Sequence, residues 1–117
     1  MAVQVKRVYD PPSSQDGYRV LVGRLWPRGL SKASLKLDEW MKAIAPSNEL
    51  RQRFHHDESR WDEFQKQYFR ELDNHPDLIE QLIQKSLAEN LTLLFAAKDK
   101  EHNNAVALKN YLERKLR

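Results

Sequence analysis

The run Arg24-Leu25-Trp26-Pro27-Arg28-Gly29 combines residue types that a simple turn has no use for. A turn employs the Pro and the Gly, which fix or free φ, but neither a Trp nor two Arg. A guanidinium offers a planar fork of donors that matches a carboxylate or a phosphate and stacks on aromatic faces. Two of them around an indole and a proline therefore read as a rigid anion-recognition element. Trp26 has a plainer reading as packing, and the whole loop has one too, as a clamp that locks helices onto a sheet. Further along the chain Lys98 adds a cation, although beside Asp99 it also suits an ion pair near a helix start. Asp99 and His102 supply a base and an acid, since histidine titrates near neutral pH, while Asp99 equally suits a helix N-cap. In His55-His56-Asp57 the adjacent histidines would point about a quarter-turn apart on a helix and seldom share an ion. His55 is the candidate for reaching the arginine loop, and His56 reads as a surface residue. No second ligand pair at metal spacing follows, so no metal site is expected, and no motif names a cofactor.

The elements that must position these residues follow from pattern. Residues 3 to 9, Val-Gln-Val-Lys-Arg-Val-Tyr, are β-branched and aromatic and stop at Asp10-Pro11-Pro12, which predicts a strand. A loop through Gly17 leads to a second strand over 18 to 25, apolar on both faces around Val20-Leu21-Val22 and therefore central. Leu37, Trp40, Met41 and Ile44 recur at i, i+3, i+4 and i+7, predicting an amphipathic helix ended by Pro46. Ser47 caps a short helix reaching His55. Asp57 precedes the stripe Trp61, Phe64, Tyr68 and Leu72, and Pro76 opens a helix with Leu78, Ile79, Leu82, Ile83 and Leu87 inward. Leu91 to Ala96 is a buried strand, and 103 to 115 the final helix. Strands at both ends with helices between them predict an α/β fold: a small, mostly parallel three-stranded sheet with about five helices in a single domain over residues 1–117.

The direction of the first strand stays open at this stage. The link from Asp10 to Gly17 is shorter than a usual parallel crossover, which favours a hairpin. Yet eight extended residues reach roughly 27 Å, more than the ~17 Å of a short strand, so a stretched return also closes. Ligands of open parallel sheets bind beyond the carboxyl ends of the strands. If the second and last strands are parallel, Arg24, Arg28 and Lys98 meet at one rim beside the start of the final helix, whose dipole favours an anion. A parallel first strand adds Arg7 and Tyr9, and Trp26 is the candidate platform if it does not simply pack. The ligand this predicts is a small phosphorylated or carboxylated molecule.

Composition excludes several other classes. The three glycines, Gly17, Gly23 and Gly29, lie too far apart for a dinucleotide fingerprint or a Walker-type loop, so side chains and a helix end must hold any anion. The chain has no cysteine, which removes disulfides, thiolate zinc sites and a Cys nucleophile together. No apolar run approaches a membrane span and no leader pattern opens the chain, so a cytoplasmic protein without membrane contact is expected. A net charge of +3 with a pI near 9.2 favours anionic partners only mildly. Its basic residues, such as Arg51, Arg53, Lys109 and Arg114, are interleaved with acidic ones and form no nucleic-acid reading motif. A nucleic-acid- or protein-binding regulatory module without catalysis is the alternative. The residues name neither an oligomeric state nor a reaction.

Several of these segments together resemble one family. Lys6-Arg7-Val8-Tyr9-Asp10, Asp16-Gly17-Tyr18-Arg19-Val20-Leu21-Val22, the Arg24 to Gly29 run, Leu37-Asp38-Glu39-Trp40, Ile44-Ala45-Pro46-Ser47, Phe54-His55, and Ala97-Lys98-Asp99 with His102-Asn103 are similar to the YeaO-like branch of the family known as domain of unknown function 488. The resemblance spans nearly the whole chain but implies no reaction, cofactor or catalytic residue. Relatives of the branch often carry an acidic residue where this chain has Gly23, and Tyr-Ser where it has Phe95-Ala96. Longer members resemble parallel α/β proteins with a helix between the first two strands, which implies a parallel first strand here.

Overall fold

The computed structural model describes residues 2–54 and 57–117. Four strands, β1 (Val3–Arg7), β2 (Tyr18–Leu21), β3 (Glu39–Trp40) and β4 (Leu91–Phe95), form one sheet in the order β1-β4-β2-β3. Every pairing is parallel, with Val5 opposite Leu93, Val20 opposite Leu93 on the other side, and Val20 opposite Glu39. The α-helices are α1 (Lys32–Leu35), α2 (Asn48–Phe54), α3 (Trp61–Leu72), α4 (Pro76–Ala88) and α5 (Asn104–Lys115).

The fold class expected from sequence is therefore the one observed, with a fourth strand. β1 does not form a hairpin with β2. It leaves β4 between them, and the return from Val8 to Gly17 carries only a 3₁₀ turn at Ser14–Asp16. Both β4 and β2 are interior strands, and all five residues of β4 are buried. The helix expected through Leu37, Trp40, Met41 and Ile44 is absent. Glu39–Trp40 is strand β3, and a 3₁₀ turn follows at Lys42–Ile44. The sheet itself decides this outcome. Leu37 and Trp40 pack on one face with Leu21 and Leu94, while Met41 and Ile44 join the core on the other face. One helix lying on one side could not serve both, whereas a strand crossing the sheet edge alternates between them.

Those two faces differ. Val3, Val20, Leu91, Leu93 and Phe95 face the main core under Tyr68 and Leu72 of α3, Ile79 and Leu82 of α4, and Leu108 and Leu112 of α5. Each fully buried leucine there contributes about 1.5–3 kcal/mol, so this face carries most of the stability. The opposite face alternates Lys6, Arg19 and Thr92 with Val8, Leu21 and Leu94. It is covered by Leu35 of α1 and by Trp26, Leu30, Leu37 and Trp40. Here a buried ion pair replaces apolar packing: Arg19 donates to Asp16 Oδ2 at 2.5 Å and to the carbonyls of Leu35 and Lys36 at 2.7 and 3.1 Å.

Local capping sets the helix starts. Ser47 Oγ accepts the Leu50 N–H at 3.1 Å to begin α2, as its position before the helix predicts. Asp57 caps the 3₁₀ turn Glu58–Arg60 that leads into α3, Pro76 opens α4, and Asn103 Oδ1 accepts the Val106 N–H at 3.0 Å to begin α5.

Candidate functional site

Because all four strands run the same way, their carboxyl ends share one rim. The start of α5 is tied to that rim by Asn104, whose side-chain amide donates to the Val22 carbonyl at 2.6 Å. The buried Asn103 adds a second tie, from its amide to the Asp99 carbonyl at 2.9 Å. The helix whose dipole favours an anion thus begins beside the ends of β2 and β4.

A chain of contacts crosses this rim. Arg7, at the end of β1, donates from Nε to the Ala97 carbonyl at 3.1 Å, and its guanidinium lies 4.8 Å from the Tyr9 ring centre. The Tyr9 hydroxyl then donates to the Arg28 carbonyl at 3.0 Å. The loop after β4 is linked in this way, through Arg7 and Tyr9, to the Arg24–Gly29 run, with Lys98 next to Ala97. Arg28 and Lys98 are exposed, and among the described residues none of Arg7, Arg24, Arg28 or Lys98 is paired with a carboxylate.

Arg24 and Trp26 point elsewhere. Arg24 Nε donates to the Pro46 carbonyl at 3.0 Å, and the side chain lines a cavity of about 270 Å³ with Ser47, Glu71 and His75. Trp26 donates its indole N–H to the Leu30 carbonyl at 2.7 Å and meets Trp40 edge to face with ring centres 5.4 Å apart. Trp40 in turn donates to the Gly23 carbonyl at 2.7 Å. The indole therefore packs the second face of the sheet, the plainer of its two readings.

Asp99 and His102 lie together in the loop before α5. Asp99 Oδ1 accepts the N–H groups of Glu101 and His102 at 2.9 and 3.0 Å, and Oδ2 meets His102 Nδ1 at 3.0 Å. Those two N–H groups, then His102 and Glu58, hold the Asp99 carboxyl down at about 2. The Asp99 carboxylate thus holds His102 by its backbone N–H and its ring together. Trp61 meets the His102 ring edge on at 5.3 Å. Ligand atoms of Glu58, Asp99 and His102 lie within 4.8 Å of one another, making them the described residues best placed to hold a cation. His55 lies outside the described residues.

Two arrangements escape the sequence reading. The larger cavity, about 460 Å³, sits away from the rim between β2, β3 and α4, lined by Tyr18, Glu39, Met41 and Lys85 among others. Within it the Tyr18 hydroxyl donates to Glu39 at 2.8 Å, and burial with the Glu39 contact pushes the phenol up to about 12. The smaller cavity brings Arg24 to Glu71 and His75, and no spacing in the sequence links these three. Ser47 was readable as a cap but not as the partner of Glu71.

The model described as "Inactive DUF488-N3 subclade" matches residues 2–117. The uncharacterized protein YeaO of Escherichia coli is 46% identical over 112 residues, covering 96% of this chain and 97% of that protein. An uncharacterized protein of Mycobacterium tuberculosis and one of Mycobacterium bovis are each 45% identical over 78 residues, covering 67% of this chain and 66% of theirs. No solved structure matches the chain. With the rim, the Arg-Leu-Trp-Pro-Arg-Gly run and the full-length match in agreement, the chain belongs to the YeaO-like DUF488 family.

Proposed function

We propose that the protein is a binding module that holds a small phosphorylated or carboxylated molecule at the carboxyl rim of its sheet, without turning it over. Arg7, Arg28 and Lys98 supply the positive charge, Tyr9 fixes Arg7, and the start of α5 adds its dipole. The observation that carries this reading is the contact chain from the Ala97 carbonyl through Arg7 and Tyr9 to the Arg28 carbonyl, which ties together the segments that follow β1, β2 and β4, where Arg7, Arg28 and Lys98 have no carboxylate partner among the described residues. Binding without turnover is supported by the word "inactive" in the description of the matching family model.

Thermal-shift titration with inorganic phosphate, sulfate and simple phosphate monoesters tests the reading. A ligand at about a hundred times its dissociation constant adds about 2.7 kcal/mol of stability, a readily measured rise in Tm. The doubly substituted chain Arg28→Ala/Lys98→Ala is expected to fold normally, since both side chains are exposed, and to lose that rise. An equal rise in the substituted chain would refute the assignment.

A further inference from the structure

The cavity of about 270 Å³ beside Pro46 holds one cation and one anion that do not pair with each other. Arg24 is anchored through Nε to the Pro46 carbonyl, which leaves both terminal amino groups of its fork without a protein partner among the described residues. Glu71 is anchored by Ser47, whose N–H and hydroxyl donate to Oε1 and Oε2 at 2.9 and 2.5 Å. Each carboxylate oxygen keeps acceptor capacity beyond those bonds. His75, at the start of α4, lines the same space, while Ile44 and Leu72 give it an apolar wall.

A purely anionic ligand would meet Arg24 but be opposed by Glu71, and a purely cationic one would meet Glu71 but be opposed by Arg24. Only a molecule carrying both charges satisfies both anchors. The volume lies just below the range of cavities that take drug-sized ligands, which suits a smaller molecule. We propose that this cavity binds a free α-amino acid, its carboxylate on the Arg24 fork and its ammonium on Glu71. The site is separate from the rim and shares none of Arg7, Arg28 and Lys98 with it.

Isothermal titration calorimetry of the full chain with each standard L-amino acid tests this. The best ligand is then compared with its two truncated analogues, the carboxylic acid lacking the amino group and the amine lacking the carboxylate. At least one amino acid is expected to bind, and each analogue to bind at least about tenfold more weakly, the scale of one lost charge-assisted bond. Arg24→Gln should weaken the amino acid by a similar factor. Glu71 also holds Ser47, so its part is read from the analogues on the native chain. No heat with any amino acid at millimolar concentration, or a carboxylic acid that binds as tightly as its parent amino acid, overturns the proposal.

Discussion

Asp16 and Arg19 are both buried, yet every charged atom has a partner. Asp16 accepts from Ser13 N–H, Lys6 and Arg19, and Arg19 spends its remaining donors on the carbonyls that end α1. A buried pair of this kind is weak evidence of net stability, but removing one partner strands the other and costs about 3–5 kcal/mol. Asp16→Ala is therefore expected to lower unfolding stability in urea by that amount, and a loss under about 1 kcal/mol would contradict the role given to the pair. The pH dependence has a definite sign. Burial pushes the Asp16 carboxyl up, but the bonds from Ser13, Lys6 and Arg19 outweigh it, leaving the folded value below the ordinary 3.8. Its contribution is thus complete above about pH 4 and lost as pH falls through the folded value. The substituted chain should lose less stability on acidification than the native one. Nothing in the sequence announced this pair. Arg19 alternates with Val20 as a solvent-facing residue would, and only the fold brings the carbonyls of Leu35 and Lys36 over it.

At the scale of elements, the amino ends of the strands meet at Gly17 and Asn90. Gly17 has φ +65°, and a Cβ there would sit 2.1 Å from the Asn90 carbonyl oxygen, which also accepts the Tyr18 N–H at 2.8 Å. Gly17→Ala should cost more than about 1 kcal/mol, measured by thermal or urea unfolding, because neither the backbone angle nor the neighbouring backbone can yield. A neutral substitution would mean that the turn has another conformation. Gly17 was legible as a loop breaker, but its contact with Asn90, distant in sequence, was not. The helices α3, α4 and α5 were legible because each keeps an apolar stripe against one core and has a clear start signal in Asp57, Pro76 or Asn103, although Leu87, read as inward on α4, is exposed in its last turn. The segment around β3 was not, because its four apolar residues divide between the two faces of the sheet while their spacing imitates a helix. A two-residue strand also leaves too short a pattern for alternation to show.

The whole molecule gathers its rim through topology. Parallel strands put every carboxyl end on one side, so residues as distant in sequence as Arg7 and Ala97 come into contact. That the loops after β1, β2 and β4 share one side was readable once the strands were taken as parallel. The departure of Arg24 toward Pro46 was not, because the backbone carbonyl that captures it belongs to a segment whose structure the helical spacing misread. Among the described residues no helix is long and apolar enough to cross a membrane, in agreement with the absence of apolar runs. If the rim is where negative charge is held, an amide-resolved NMR titration of the native chain with inorganic phosphate will report it there. Saturable shifts are predicted at Tyr9, Arg28, Gly29, Lys98 and the first turn of α5. Shifts that do not saturate, or that centre on surface lysines remote from that edge, would contradict the claim.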